Sequence, residues 1–349
     1  AARMTEAGPP SPVSVRAVAI GLFLAVAINF VMLYNDYYLS NTLLILNHFP
    51  MVAMALLLVL VAGNAVLRRI PGAVPLRPGE MLLIWSMLAI GGGIGSTGFA
   101  RCIIGFMASP AYYATPSNDY AEFLVKPLPA WAVVSKDSDS TALRWYFEGL
   151  PRGQRIPWGA WLVPLSAWIG FFVASYCMMF ALTSLLYRQW ADRERLTFPI
   201  AYVPEAVAAE PARGKVLNTF LRSRMTWTGV AVPILIFALN GARAYVPSLP
   251  EVPLHFGTWG LFADRPWNQF DLGWAHVYFA IIGLSFLLTT EVSFSLWFFF
   301  VLYHLSFVGV AALGAAGQGY FGNWSQSVGV VQSSGGILVM AGFILWTAR

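Results

Sequence analysis

Long apolar stretches separated by short polar loops are the feature that most constrains this chain. A helix needs about 20 mostly apolar residues to cross the hydrocarbon core of a bilayer. Eight stretches meet or approach that length, and the sequence therefore predicts an all-α, polytopic transmembrane helical bundle of about eight spans, forming a single membrane domain over residues 1–349. The predicted spans are 17–34, 43–67, 81–108, 160–187, 226–241, 274–290, 293–313 and 334–347.

Composition excludes the soluble classes. The chain is 58% hydrophobic and 11% charged, whereas a soluble domain carries about 25% charged residues. The formal net charge of +5 comes largely from short loops between apolar stretches, which is the pattern of membrane orientation rather than of nucleic-acid binding. We therefore expect a lipid bilayer as the main partner, with bound lipid, and no nucleic acid.

Lysine and arginine residues predict the orientation of the bundle. They concentrate in loop 68–80 and in loop 188–225, while the segments 109–158 and 242–273 are rich in aromatic residues and proline. Because positive loops stay on the cytoplasmic side, we expect loop 188–225 and both termini in the cytoplasm. The two aromatic segments are then external loops, which either roof a cavity or rest on lipid headgroups.

The third apolar stretch contains an unusual run of small residues followed by a charge. Glycines at 91–93, 95 and 98 precede Arg101, and loosened backbone or charge at membrane depth needs protein or water around it. One interpretation is an anion site that involves Gly93, Gly95, Ser96 and Arg101. The others are a snorkelling arginine at the outer interface and, for Gly91 and Gly95, close helix packing, which the small-xxx-small spacing favours.

Two further breaks carry polar residues. The Thr289–Ser295 segment holds Glu291, which either caps a helix in a short hairpin or forms an intramembrane carboxylate that couples cations. Thr197 and Pro199 precede an apolar piece, 200–208, that is too short to span and contains Glu205. That piece is either a surface helix or a re-entrant, discontinuous helix of the kind that forms transporter sites.

The sequence shows no pattern of residues typical of an enzyme or a metal protein. It lacks a phosphate-binding loop, a nucleophile elbow and a metal-ligand cluster, so we predict no catalysis, no metal and no cofactor. His276 and His304 lie in predicted spans and are weak candidates for binding a cofactor, because a lone buried imidazole more often hydrogen bonds to a neighbouring helix.

Several short motifs resemble those of a transporter family. The segment Glu194-Arg195-Leu196-Thr197-Phe198-Pro199 looks like a stretch that recurs in the oligopeptide transporter superfamily. Further segments resemble a bacterial branch of oligopeptide-transporter-like membrane proteins, among them Tyr34-Asn35-Asp36-Tyr37-Tyr38, Trp145-Tyr146-Phe147-Glu148-Gly149-Leu150-Pro151 and Ser293-Phe294-Ser295-Leu296-Trp297. The resemblance implies an N-terminal half of such a protein, in the bacterial inner membrane, that transports peptides or metal chelates.

Two functions follow as hypotheses. The chain is a secondary transporter, or half of one, for a small anionic or peptide-like solute, in which Arg101 binds an anionic group and Glu205 or Glu291 couples cations. Alternatively, it is a non-transporting structural or accessory subunit of a larger membrane complex that packs lipid, pigment or partner helices. Its protein partners would be a second membrane half, further copies in a homo-oligomer, or other subunits. A membrane enzyme is disfavoured because the chain shows no paired acid and base.

Overall fold

A computed structural model describes residues 13–39, 50–95, 99–193, 198–257, 261–270 and 274–314, with eight positions between 335 and 346. These residues are mainly helical and form two compact units, 1–230 and 231–349, each described separately below. The α-helices of the first unit are α1 (Val15–Leu33), α2 (Met51–Leu67), α3 (Pro78–Gly95), α4 (Phe99–Tyr112), α5 (Thr141–Glu148), α6 (Trp158–Arg188), α7 (Pro199–Ala208) and α8 (Thr219–Arg222).

Helix α9 (Arg224–Ala242) continues into the second unit. The remaining elements there are the strands β1 (His255–Gly257) and β2 (Trp274–His276) and the helices α10 (Phe279–Ser285) and α11 (Thr290–Ala312). The all-α prediction therefore holds for the described residues apart from one short antiparallel hairpin.

Five described helices are long and apolar enough to cross a membrane. They are α1, α3, α6 with its continuation to Arg193, α9 and α11, so the chain is a membrane protein. The prediction of about eight spans is not confirmed, because α2 has 17 residues and residues 274–290 contain a strand and the seven-residue α10 instead of one helix. Of the 14 positions in the predicted span 334–347, eight are described, and all eight are helical.

Helices α1 and α3 pack side by side and run in the same direction. Arg16 of α1 meets Glu80 of α3 near the beginning of both helices, and Ala25 meets Gly91 three turns later. Ser14 caps α1 by accepting a hydrogen bond from the Ala17 N–H at 3.1 Å, which satisfies one of the free donors at a helix start. We call the end at which α1 and α3 begin the arginine end, after Arg16, Arg68, Arg69 and Arg77.

Helix α2 packs against α3 and runs antiparallel to it. The side chain of Asn64, 4% exposed, clamps the following loop: it accepts from the Leu76 N–H at 2.7 Å and donates to the Leu76 carbonyl oxygen at 2.8 Å. Because a buried amide needs such partners, this clamp fixes the turn between α2 and α3 at the arginine end.

Helix α4, helix α5 and the beginning of α6 form a second hydrophobic cluster, which we call the cap (residues 103–168). Its buried residues include Met107, Leu143 and Trp161. An irregular segment closes it: the Val134 N–H donates to the Met107 carbonyl oxygen at 3.1 Å, and the Trp168 indole donates to the Ala132 carbonyl oxygen at 3.0 Å. The segment 109–158, which the sequence predicts to be an external loop, is thus part of an ordered cluster with α4 and α6.

Helix α6 is longer than a bilayer is thick. With its continuation to Arg193 it has 36 residues, or roughly 54 Å at the usual rise per residue. Burial in the cap ends at Trp168, and from Ile169 to Arg188 every residue except Phe172 and Ser175 is exposed. Those 20 residues span about 30 Å, the thickness of the hydrocarbon core. The bare part of α6 therefore fits the membrane, and the cap stands beside it at one surface.

In the second unit, α9 buries none of its side chains. Its Asn240 side chain clamps Val252, accepting from the N–H and donating to the carbonyl oxygen, both at 2.9 Å. Phe279 of α10 lies 5.9 Å from Phe237 of α9, measured between ring centres. These contacts join α9, the hairpin and α10 within this unit.

Candidate functional site

The end of α3 is where a polar group of α1 meets the glycine run. The Asn29 side chain donates to the Ala25 carbonyl oxygen at 2.7 Å and to the Gly91 carbonyl oxygen at 3.0 Å. A side chain added at Gly95 would collide with the Asn29 carboxamide, and one at Gly91 would come within 3.3 Å of Ala25. Gly91 and Gly95 therefore allow α1 and α3 to approach closely, which is the packing role that their spacing favoured.

The oxygen of the Asn29 carboxamide has a different environment from the nitrogen. Its Oδ1 atom is buried, and no donor among the described residues reaches it. A buried acceptor without a hydrogen bond is costly. Because it lies against Gly95, the last described residue of α3, this oxygen is an unsatisfied acceptor at the far end of the α1–α3 interface from Glu80. Ser96, a predicted site residue, lies outside the described residues.

Arg101 belongs to the first turn of α4, and its side chain lies outside the described part of the chain. A contact of the nearby residue Phe99 shows which part of α6 the backbone of Arg101 lies beside. The ring centres of Phe99 and of Phe172 on α6 are 4.3 Å apart. Phe172 is one turn beyond Trp168, where burial in the cap ends. The backbone at Arg101 thus lies near the level at which α6 passes from cap to lipid.

Gly93 has a different environment from its neighbours. A side chain built on it would meet nothing within 4 Å, so the residue is not required for the contact between α1 and α3. Helix α3 is continuous through Gly91, Gly93 and Gly95. The glycine run therefore does not unwind before Gly95, and any loosened backbone would begin after it.

Sequence reasoning missed a polar cluster at the arginine end. Glu80, 5% exposed, accepts from the Arg16 guanidinium at 2.6 Å, from the Arg77 N–H at 2.8 Å and from the Ser14 hydroxyl. Arg16 also donates to the Val74 carbonyl oxygen at 2.9 Å. The signal was present in the sequence, since a glutamate in the first turn of an apolar helix calls for a partner, but the partner lies 64 residues away.

The piece predicted after Thr197 is a helix, α7, and it packs against the arginine end. Pro204, Val207 and Ala208 are buried against α2 and α3. Asn218 ends α7 by donating to the Ala206, Val207 and Ala209 carbonyl oxygens. Glu205, a predicted cation-coupling residue, is exposed. Thr197 lies outside the described residues.

Glu291 lies in the first turn of α11 and is exposed. Thr289 caps that helix by accepting from the Val292 N–H at 3.5 Å. A carboxylate in the first turn stabilises the helix dipole, so the geometry matches the capping interpretation of the Thr289–Ser295 break. The alternative, an intramembrane carboxylate, requires burial that this residue does not have within its unit.

The two histidines weakly suggested as cofactor ligands lie in different environments. His304 is on α11 among the rings of Phe270, Phe300 and Tyr303, whose centres lie 4.6–5.9 Å away. His276 is not in a span: it is exposed on β2, opposite His255. Sequence reasoning gave His255 no role, because the pairing of two strands 19 residues apart is not visible in the apolar pattern.

The described residues bring polar groups together but form no metal-ligand cluster. Among them, no three histidine, cysteine, aspartate or glutamate side chains come together in a way that could hold a metal ion. What they present is a buried carboxamide oxygen beside the glycine run of α3, near the level of an arginine. Such an arrangement can bind a polar solute or an ion.

Comparison with known proteins places the chain in a family without assigning it an activity. Neither the curated proteins nor the solved structures gave a match, and no comparison supports the expected relation to oligopeptide transporters. A sequence profile matches residues 7–349, nearly the whole length. On that evidence the chain belongs to the family of unknown function DUF6785.

Proposed function

We propose that this chain is a secondary transporter, or half of one, for a small anionic or peptide-like solute. The observation that carries the proposal is the buried Oδ1 of Asn29, which lies against Gly95 of α3 and has no donor among the described residues. Polar groups buried within a membrane domain often mark the path of a substrate or an ion. The relation to the oligopeptide transporter superfamily is part of this proposal.

An anionic group would bind where α4 begins. The first turn of a helix presents backbone N–H groups that lack an intrahelical acceptor and carries the positive end of the helix dipole. Arg101 belongs to that turn, and a guanidinium there would pair with a carboxylate. Glu205 is the candidate for coupling to cations, and Glu291 is assigned to the cap of α11. We place the protein in the bacterial inner membrane, with the arginine end and both termini in the cytoplasm and the cap outside.

Proteoliposomes test this function. The purified protein is reconstituted, a pH gradient is imposed, and electrogenic currents are recorded on addition of trialanine or succinate. We expect a current for one of them that Arg101→Gln abolishes and Arg101→Lys partly retains. Arg155→Gln, in the exposed external loop, is the matched control and should behave as wild type. An absence of current with both solutes, or a current that Arg101→Gln leaves unchanged, contradicts the proposal.

A second candidate function rests on the bare helices. In the membrane segment of α6 and in α9, no residue of the most apolar stretch is buried by the described chain. Such uncovered helices also suit a subunit of a larger membrane complex or a homo-oligomer. Native mass spectrometry from lipid nanodiscs distinguishes the two. Purification from native membranes in stoichiometric complex with other subunits, without solute-dependent current, favours the subunit.

A further inference from the structure

Two histidines face each other across the hairpin of the second unit. His255 of β1 is the direct cross-strand partner of His276 of β2. Both side chains are exposed, and their ring centres lie 6.0 Å apart with 26° between the ring planes. The strands that carry them are held together at the neighbouring pair, where the Val277 N–H donates to the Leu254 carbonyl oxygen at 2.8 Å.

The position of that hydrogen bond defines how close the histidine side chains are. In an antiparallel ladder, hydrogen-bonded and non-hydrogen-bonded pairs alternate. Leu254 and Val277 form a hydrogen-bonded pair, so His255 and His276 form a non-hydrogen-bonded one. Side chains in such pairs are closer together, with Cβ atoms about 4.5–5.5 Å apart. The backbone therefore holds the two imidazoles within reach of one ion.

The ring separation agrees with a shared metal. With a metal–nitrogen bond of about 2.0–2.1 Å, the metal lies about 3.2 Å from each ring centre. Two imidazoles on one metal then have centres about 5.2 Å apart at a tetrahedral angle and about 6.4 Å apart in a linear arrangement. The observed 6.0 Å lies between these limits, so the separation of the rings matches that of two imidazoles on one metal.

We propose that His255 and His276 bind one divalent transition-metal ion of the copper, zinc and nickel class on the hairpin. Imidazole prefers these metals over Mg²⁺ and Ca²⁺, which take oxygen ligands. Among the described residues no third metal-ligating side chain joins the pair. The site is independent of the proposed transport function.

The test uses the intact protein in detergent at pH 7.5, purified with a tag free of histidine. One equivalent of Cu²⁺ is added, and electron paramagnetic resonance counts the coordinated nitrogens. We expect two imidazole nitrogens in the wild type and one in His255→Ala or His276→Ala. Calorimetry with Zn²⁺ should show affinity about 100-fold weaker in either variant, since the second ligand binds intramolecularly. His304→Gln, on α11, is the matched control, and Mg²⁺ should give no heat.

Chemical footprinting of the wild-type protein tests the proposal even if the variants do not fold. Diethyl pyrocarbonate modifies exposed imidazoles, and mass spectrometry reports each site. We expect Zn²⁺ to protect His255 and His276 together at the same metal concentration. Equal modification of both with and without Zn²⁺, or Cu²⁺ coordination that survives both substitutions, overturns the proposal whatever the outcome of the transport assays.

Discussion

Asn29 of α1 donates a 3.0 Å hydrogen bond to the carbonyl oxygen of Gly91 of α3, which lies 62 positions away in the sequence. This bond joins the two helices. In hydrocarbon, helices are held together by close packing and by such polar contacts. The bond forms because Gly91 and Gly95 leave room for the carboxamide. The α1–α3 pair is therefore sensitive to the size of residues at these two positions.

Gly95→Ala should destabilise the protein. The added methyl group would collide with the Asn29 carboxamide, so the side chain must move and lose its bond to Gly91. Overpacking of this kind costs about 1–3 kcal/mol, and we expect a lower midpoint of thermal unfolding in detergent. Gly93→Ala is the control, because nothing lies within 4 Å of the new methyl group. Its helix should gain about 0.5–1 kcal/mol. Equal effects at the two positions would refute the packing role.

Arg16→Ala should also lower stability, by removing the charged partner of Glu80. Glu80 is 5% exposed, and a buried group left without its partner costs about 1–3 kcal/mol or more when it is charged. Chemical denaturation in detergent measures the loss. Lys126→Ala is the comparison: its ion pair with Glu122 is exposed on both sides, and such pairs contribute little. A small effect at both sites would show that the Glu80 cluster is not structural.

Trp168→Phe should loosen the cap without unfolding the rest. The substitution removes the indole donor to the Ala132 carbonyl oxygen, which is worth about 1 kcal/mol. We expect faster proteolytic cleavage within residues 126–140, and mass spectrometry of the fragments measures the rate. Trp158→Phe, at the exposed beginning of α6, should leave the rate unchanged. Unaltered cleavage in Trp168→Phe would mean that this bond does not hold the segment.

Cys177 should be shielded from water in a bilayer. It is exposed within the bare part of α6, and lipid should cover it there. In proteoliposomes of a Cys102→Ser background, a charged, membrane-impermeant thiol reagent should fail to label Cys177 until the membrane is dissolved in denaturing detergent. Leu162→Cys, exposed in the cap region of the same helix, should react in intact proteoliposomes. Rapid labelling of Cys177 before dissolution would place this part of α6 in water.

High pH should weaken the cap through Tyr146. Partial burial, with a smaller effect from Tyr113, raises the pKa of the Tyr146 phenol. The folded state thus retains this proton better than the unfolded state, whose tyrosines ionise near pH 10. The stabilising contribution is complete below that value and is lost as the pH rises through the folded pKa. Tyr146→Phe should show a shallower decline in the unfolding midpoint above pH 10. Parallel curves would exclude Tyr146 as the titrating group.

The sequence predicted single helices well and their breaks poorly. The span 226–241 corresponds to Arg224–Ala242 and 293–313 to Thr290–Ala312, because each stands between polar segments. The predicted span 274–290 holds the strand Trp274–His276 and the helix Phe279–Ser285. Hydropathy could not show this, because the pairing of that strand with His255–Gly257 alters no residue's apolar character.

The site residues that could be predicted were those whose chemistry is local. The position of Glu291 in the first turn of α11 could be predicted from its neighbours Thr289 and Thr290 alone. The contact of Asn29 with Gly91 and that of Arg16 with Glu80 depend on which helices are neighbours and on their direction. Neither property is encoded in periodicity, and both require the three-dimensional arrangement.

The common direction of α1 and α3 has an electrostatic consequence. Each helix start carries the equivalent of about half a positive charge, and two such ends meet here beside Arg16. The Glu80 carboxylate neutralises this local field, and it does so only while α1 stays in its present register, with Ser14 and Arg16 at hand. Sliding α1 by one turn would break these bonds and leave like charges facing each other. The two helices should therefore move as one body, and any conformational change must come from the helices around them.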